Sequence, residues 1–216
     1  MSNDPRVRAT LEVLEQRSDG ERRELSVLRE RDSREPLRDL SRFMLDVGRE
    51  TALFLNAIAR STGARRIVEV GAAIGYSTIW LAEAARANDG RVVTFEQDPS
   101  RARELRANLD LAGLADWVEI HESDASSVLP DLAGPFDLGF LDHWKEHYIR
   151  EFDTIWPKLR RGGLVLADNI LSSPVWTATF NNKKVVEAYV AHVRACAGAR
   201  SVTVPIGHGV ELTYKE

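Results

Sequence analysis

Arg66-Ile67-Val68-Glu69-Val70-Gly71-Ala72-Ala73-Ile74-Gly75-Tyr76-Ser77 carries an apolar run into a corner bracketed by two glycines and then into a helix-like stretch. Arg66–Val70 reads as a strand and 76–88 as the helix after it. Outward from this unit the alternation repeats. Strand Arg91–Phe95 precedes helix Pro99–Ala112, and strand 117–121 leads to a turn or short helix ending near Leu129. Strand Phe136–Leu141 is followed by helix 146–159, which Pro157 is placed to shorten. Strand 164–167 precedes helix Lys183–Ala195, and strands 201–205 and 210–214 flank a hairpin-type Gly207-His208-Gly209. Such alternation specifies an α/β fold, a mostly parallel sheet with helices on both faces.

Upstream, residues 1–35 hold eight Arg against nine Asp and Glu, with Leu11, Leu14, Leu25 and Leu28 at helical spacing and a break at Ser18-Asp19-Gly20. Two short amphipathic helices are expected there, as a packed appendage, a dimer contact or a cover over the site. A stronger helix is expected over 41–60, with Phe43, Leu45, Val47, Leu53, Phe54, Leu55 and Ile58 on its apolar side. We divide the chain into an N-terminal helical extension, 1–40, and one main domain, 41–216.

The 216 residues carry a formal charge of −4 with 44% hydrophobic residues. That balance suits a packed core and disfavours nucleic acid as a partner, since phosphate binding needs a basic face. No apolar run approaches the roughly 20 residues of a membrane span, so no membrane partner is expected. The single cysteine, Cys196, excludes an internal disulfide. It fits a reducing, cytoplasmic setting.

In an open α/β sheet the ligand crevice lies beyond the carboxyl ends of the strands. Gly71 and Gly75 permit a tight turn and a close backbone approach there. Their G-x-x-x-G spacing departs from the G-x-G-x-x-G dinucleotide fingerprint, which weakens a dehydrogenase reading. Glu96, at the end of the second strand, suits the two hydroxyls of a ribose, with a helix cap before Pro99 as the competing reading. Asp124 can meet an adenine edge or cap a helix.

Phe136-Asp137-Leu138-Gly139-Phe140-Leu141-Asp142-His143-Trp144-Lys145 places a carboxylate, two rings and a lysine at a strand end. Lys is scarce, five of the 29 basic residues, so a Lys three positions after that Asp stands out. The run Gly163-Leu164-Val165-Leu166-Ala167 ends in Asp168-Asn169. Asp142, Asp168 and Asn169 offer oxygen donors only, which suits Mg²⁺ and leaves positions open for a chelating substrate. Two adjacent hydroxyls on an aromatic ring fit those positions, and Lys145 is then the candidate general base. Helix caps and a surface lysine are the competing readings. His121, His147, His192 and His208 lack ligand spacing and read as structural or exposed.

These motifs together resemble the S-adenosylmethionine-dependent O-methyltransferases, nearest to catechol O-methyltransferase and its caffeoyl-CoA-type relatives, over roughly residues 40 to 215. The resemblance implies a Rossmann-like class I methyltransferase with a seven-stranded sheet whose last strand is antiparallel. It implies S-adenosylmethionine as cofactor, with Glu96 on the ribose and Glu69, Gly71 and Ser77 around the methionine part. Asp124, Ala125 and Ser126 would border the adenine, with His143 and Trp144 flanking it and Asp142 beside the cofactor. It also implies Mg²⁺-dependent methylation of a small aromatic vicinal diol and, from bacterial relatives, a homodimer. The chain departs from the animal catechol enzyme at Ala73, where that enzyme has a tyrosine, and at Asp124, where it has a small residue. That enzyme's late acidic residue has no clear counterpart; Glu211 lies in the final strand and does not inherit the role. Pro174, Val175, Trp176 and Phe180 are candidates for one acceptor wall, Phe43 and Met44 for the opposite one.

Overall fold

The computed structural model describes residues 2–31, 43–171 and 183–216, with the side chains of 28–31 left aside. Seven strands form one sheet: β1 (Arg66–Val70), β2 (Arg91–Phe95), β3 (Val118–His121), β4 (Phe136–Leu141), β5 (Leu159–Ala167), β6 (Ala199–Val204) and β7 (Val210–Lys215). Their order is β3-β2-β1-β4-β5-β7-β6. The pairs from β3 to β5 are parallel, and β7 runs antiparallel to both β5 and β6. This is the expected Rossmann-like sheet with its last strand reversed.

Period-2 alternation sorts the strand residues between two cores. Ile67, Leu138, Phe140, Leu164 and Leu166 face one layer of helices: α1 (Pro5–Arg31), α2 (Arg49–Ser61), α3 (Tyr76–Ala87) and α4 (Pro99–Ala112). Val68, Val70, Leu141, Val165 and Ala167 face the other: α5 (Ala125–Val128), α6 (Tyr148–Ile155) and α7 (Lys183–Ala195). Among the described residues, no helix is long and apolar enough to cross a membrane.

Several expectations are corrected. The N-terminus is one 27-residue helix, not two. Ser18 and Gly20 do not break it, because Val7, Leu11 and Leu14 are buried in the main core and Ser18 Oγ is engaged by Asp46 Oδ2 at 2.6 Å. Tertiary packing overrides the local propensity. The helix expected over 41–60 begins only at Arg49: Leu45 (φ 52°) and Gly48 (φ 77°) are left-handed, so Phe43, Met44 and Val47 are buried from an irregular segment. The helix expected over 146–159 is three pieces, 3₁₀ turns at Lys145–His147 and Trp156–Lys158 around α6, with Pro157 in the second. Strand β5 starts at Leu159, earlier than expected, and pairs with Phe136 across a register shift.

Candidate active site

The carboxyl ends of β1, β4 and β5 lie side by side, and their hydrogen-bonding continues one residue past the strands. Asp142 N donates to Val70 O (2.9 Å) and Asp168 N to Leu141 O (3.0 Å). Beyond these tips opens a cavity of about 900 Å³.

Gly71, with φ 98°, forms its floor. A Cβ there would fall 2.2 Å from Asp142 O, so only glycine permits the β1 and β4 ends to approach this closely. Gly75 (φ 95°) serves packing instead: its Cβ would lie 2.5 Å from Leu105 Cδ1 on α4. Glu96 borders the cavity with both oxygens anchored, Oε2 by Ala73 N (2.8 Å) and Oε1 by Asp98 N (2.9 Å). Burial pushes its carboxyl above the ordinary range, against those backbone bonds.

Glu69 is fully buried and accepts the hydroxyls of Ser77 (2.7 Å), Thr78 (2.6 Å) and Thr94 (2.7 Å). Burial raises its carboxyl too, and the three hydroxyls oppose the rise. It stands behind the wall, while Ser77 reaches the cavity. Asp124 both borders the cavity and caps α5 by accepting Ser126 N at 2.8 Å. That bond holds its carboxyl below the usual range. Ala125, His143 and Trp144 complete this end.

At the other end, Lys145 Nζ lies 3.2 Å from Asp142 Oδ1. Asp168 is completely buried. Its Oδ2 accepts Asn169 Nδ2 at 3.2 Å, and its Oδ1 is buried without a hydrogen-bond partner. Burial, then the neighbouring Asp142 charge, pushes the Asp168 carboxyl up to about 8. Asn169 holds a left-handed backbone (φ 59°), which turns the chain sharply after β5. Among the described residues, no group of three His, Cys, Asp or Glu side chains is placed to hold a metal ion. A cation here would rest on two carboxylates and an amide oxygen.

Phe43 and Met44 line the cavity, whereas Pro174, Val175, Trp176 and Phe180 lie outside the described residues. Glu211 is buried among Arg194 (3.0 Å), Ser201 (2.6 Å) and Thr203 in the β6–β7 region, and the cavity does not reach it. Helix α1 borders the cavity through Ser18, Glu21 and Arg22, and two contributors escaped the sequence reading: Asp46, and the histidines His147 and His208. His208 is carried in because Leu171 N donates to its carbonyl (2.8 Å) and Ile170 N to that of Gly209 (2.9 Å). A histidine between glycines, just before the strand that pairs with β5, was the available signal.

The sequence pattern of the methyltransferase-domain family matches residues 68–170. The catechol O-methyltransferase of Mycobacterium tuberculosis is 42% identical over 126 residues, 58% of this chain and 57% of that protein. The chain thus spans little more than half the length of that relative. Two solved structures superpose on 79% of the chain with a TM-score of 0.71. The cofactor-bound Rv0187 from MTB is 32% identical with 82% of its chain covered. The O-methyltransferase from Bacillus cereus in complex with SAH is 28% identical with 83% covered. With its sheet order and the paired glycine and Asp-His-Trp-Lys corners, the chain carries a methyltransferase domain and is similar over these spans to O-methyltransferases, catechol O-methyltransferases among them.

Proposed function

We propose that this protein transfers a methyl group from S-adenosylmethionine to one hydroxyl of a small aromatic with two adjacent hydroxyls, with Mg²⁺ bound by Asp142, Asp168 and Asn169. The observation that carries this reading is the buried, unpartnered Oδ1 of Asp168 beside Asp142, with the Lys145 amine 3.2 Å from Asp142. A buried carboxylate with an open lone pair is costly without a cation. A donor set of oxygens alone suits a hard ion that keeps open positions. The nucleoside half fits as well: Gly71 leaves its floor bare of side chain, and Glu96 is held rigid at the end of β2. The single cysteine is in keeping with a cytoplasmic setting.

When bound, Mg²⁺ favours the ionised form of an aromatic hydroxyl, and the sulfonium supplies the methyl group. The chain's own residues do the rest. Lys145 Nζ takes the proton of the attacking hydroxyl, a contribution of about 10²–10⁴-fold for a positioned base. Asp142 orients that amine. Glu96 accepts the ribose hydroxyls, and Phe43 and Met44 keep water from the reacting atoms. Holding nucleophile and methyl carbon together supplies much of the remaining gain.

The test is methyl transfer by the purified protein across a panel of catechols and hydroxycinnamates, with Mg²⁺ or with chelator. Singly methylated product that requires the metal, and that vanishes in Asp142→Ala, is expected. Full activity of Asp142→Ala in chelator overturns the mechanism.

A further inference from the structure

Glu151, in the first turn of α6, is 1% exposed yet borders the cavity. A carboxylate this deep is a net cost unless charged or polar partners hold it. Its partners are His143, on the loop after β4, and Arg150, the residue before it on α6. Oε2 is 2.6 Å from His143 Nε2, an oblique contact rather than an in-line hydrogen bond, and Oε1 is 2.7 Å from Arg150 Nη2. The same Arg150 nitrogen is 3.8 Å from Asp124 Oδ1. Asp124–Arg150–Glu151–His143 therefore forms one chain of opposite charges and a ring, joining the loop after β3 to the loop after β4. The His143 ring also meets two others, tilted on Tyr148 at 5.3 Å and stacked with His147 at 6.1 Å. Its Nδ1 is buried without a hydrogen-bond partner.

We propose that Glu151 is a positioning residue for the nucleoside of the cofactor: through His143 and, by way of Arg150, Asp124, it sets the ring orientation and the width of the slot between the two loops. The inference rests on the cofactor reading given above. A slot fixed in advance binds its ligand without the entropic cost of ordering two loops. The fold itself gains nothing comparable, because α6 is already anchored by the buried Tyr148, Phe152 and Ile155.

The test is titration calorimetry with S-adenosylhomocysteine and with adenosine, alongside thermal unfolding, for wild type, Glu151→Leu, Glu151→Gln and Arg150→Ala. Glu151→Leu is expected to bind both ligands about tenfold more weakly, the order of one lost charge-assisted contact, with no drop in Tm. Glu151→Gln, which keeps an acceptor for His143, should recover most of that loss. Arg150→Ala, a change at a half-exposed side chain, should weaken both ligands about threefold, and the KM for the aromatic acceptor should stay unchanged in every variant. Wild-type affinity in Glu151→Leu overturns the proposal; if that variant does not fold, wild-type affinity in Arg150→Ala overturns it instead. A wild-type protein that binds no S-adenosylhomocysteine overturns the cofactor reading itself.

Discussion

Lys145 Nζ lies 2.6 Å from the Tyr148 hydroxyl, and that hydroxyl is 2.9 Å from Leu141 O and 3.1 Å from Asp168 O. A phenol has one proton, which it gives to one of the two carbonyls, so its oxygen accepts from the lysine. Burial, then the Asp142 and Asp168 charges, raises the phenol well above its ordinary pKa and keeps it protonated. The amine is thus held from one side by a neutral hydroxyl and from the other by Asp142. Tyr148→Phe should lower kcat about tenfold with S-adenosylhomocysteine affinity intact, while Lys145→Ala should lower it about 10²–10⁴-fold. Single-turnover rates and calorimetry on the two variants check this.

The Asp168 carboxyl, pushed up to about 8, would link the proposed metal binding to pH. In the metal-free protein the folded state binds more protons than the unfolded chain between the ordinary Asp range and about 8, so this group makes stability fall as pH rises through that window. A divalent cation competes with the same proton. The rise in Tm on adding Mg²⁺ should therefore grow from pH 6.5 to 8.5, to be read by thermal unfolding at roughly half-unit steps. In Asp168→Asn the Mg²⁺ effect should disappear.

Gly71→Ala places a methyl 2.2 Å from a backbone carbonyl at a left-handed φ. Neither partner is a side chain that can swing away. We expect a stability loss of about 1–3 kcal/mol and loss of measurable S-adenosylhomocysteine binding. Denaturant unfolding and calorimetry provide the check. Gly63→Ala, also at positive φ (63°) but with open space around it, should keep binding intact.

Asp46 fastens the N-terminal helix to the segment that lines the cavity. Its carboxylate accepts Ser18 Oγ (2.6 Å), Arg22 Nη2 (3.0 Å) and Gly48 N (2.8 Å). Asp46→Ala should cost about 1–3 kcal/mol and raise the acceptor KM several-fold, because the α1 wall loses its anchor. Chemical denaturation and steady-state kinetics measure the two effects.

The sheet was legible from sequence because each strand from 66 to 141 is a short apolar run punctuated by glycine, proline or a polar corner. The Asp142–Lys145 and Asp168–Asn169 corners were legible for the same reason: a polar group directly after a buried run marks a strand tip. What escaped depends on contacts distant in sequence. Helix α1 continues through Ser18-Asp19-Gly20 because the core covers one side of it and Asp46, 28 residues away, engages Ser18. The apolar residues Phe43 and Val47 mimic a helix stripe, but they are buried against the cavity from irregular backbone. His208 approaches the site only because its loop pairs with Ile170 and Leu171. Glu151 looks in sequence like any surface acid of a helix; its burial is visible only when α6 lies on the sheet.

Asp142 and Asp168 hang from two neighbouring parallel ladders, Asp142 N on Val70 O continuing the β1–β4 pairing and Asp168 N on Leu141 O continuing the β4–β5 pairing. Their separation is therefore inherited from the spacing of neighbouring strands, about 4.8 Å, and not from the surrounding loops. The proposed ion site and the proposed acceptor wall are thereby mechanically decoupled. Helix α1, the 43–47 segment and the His208 loop can be rebuilt to admit a different aromatic guest while the gap between the two acids stays where the backbone puts it.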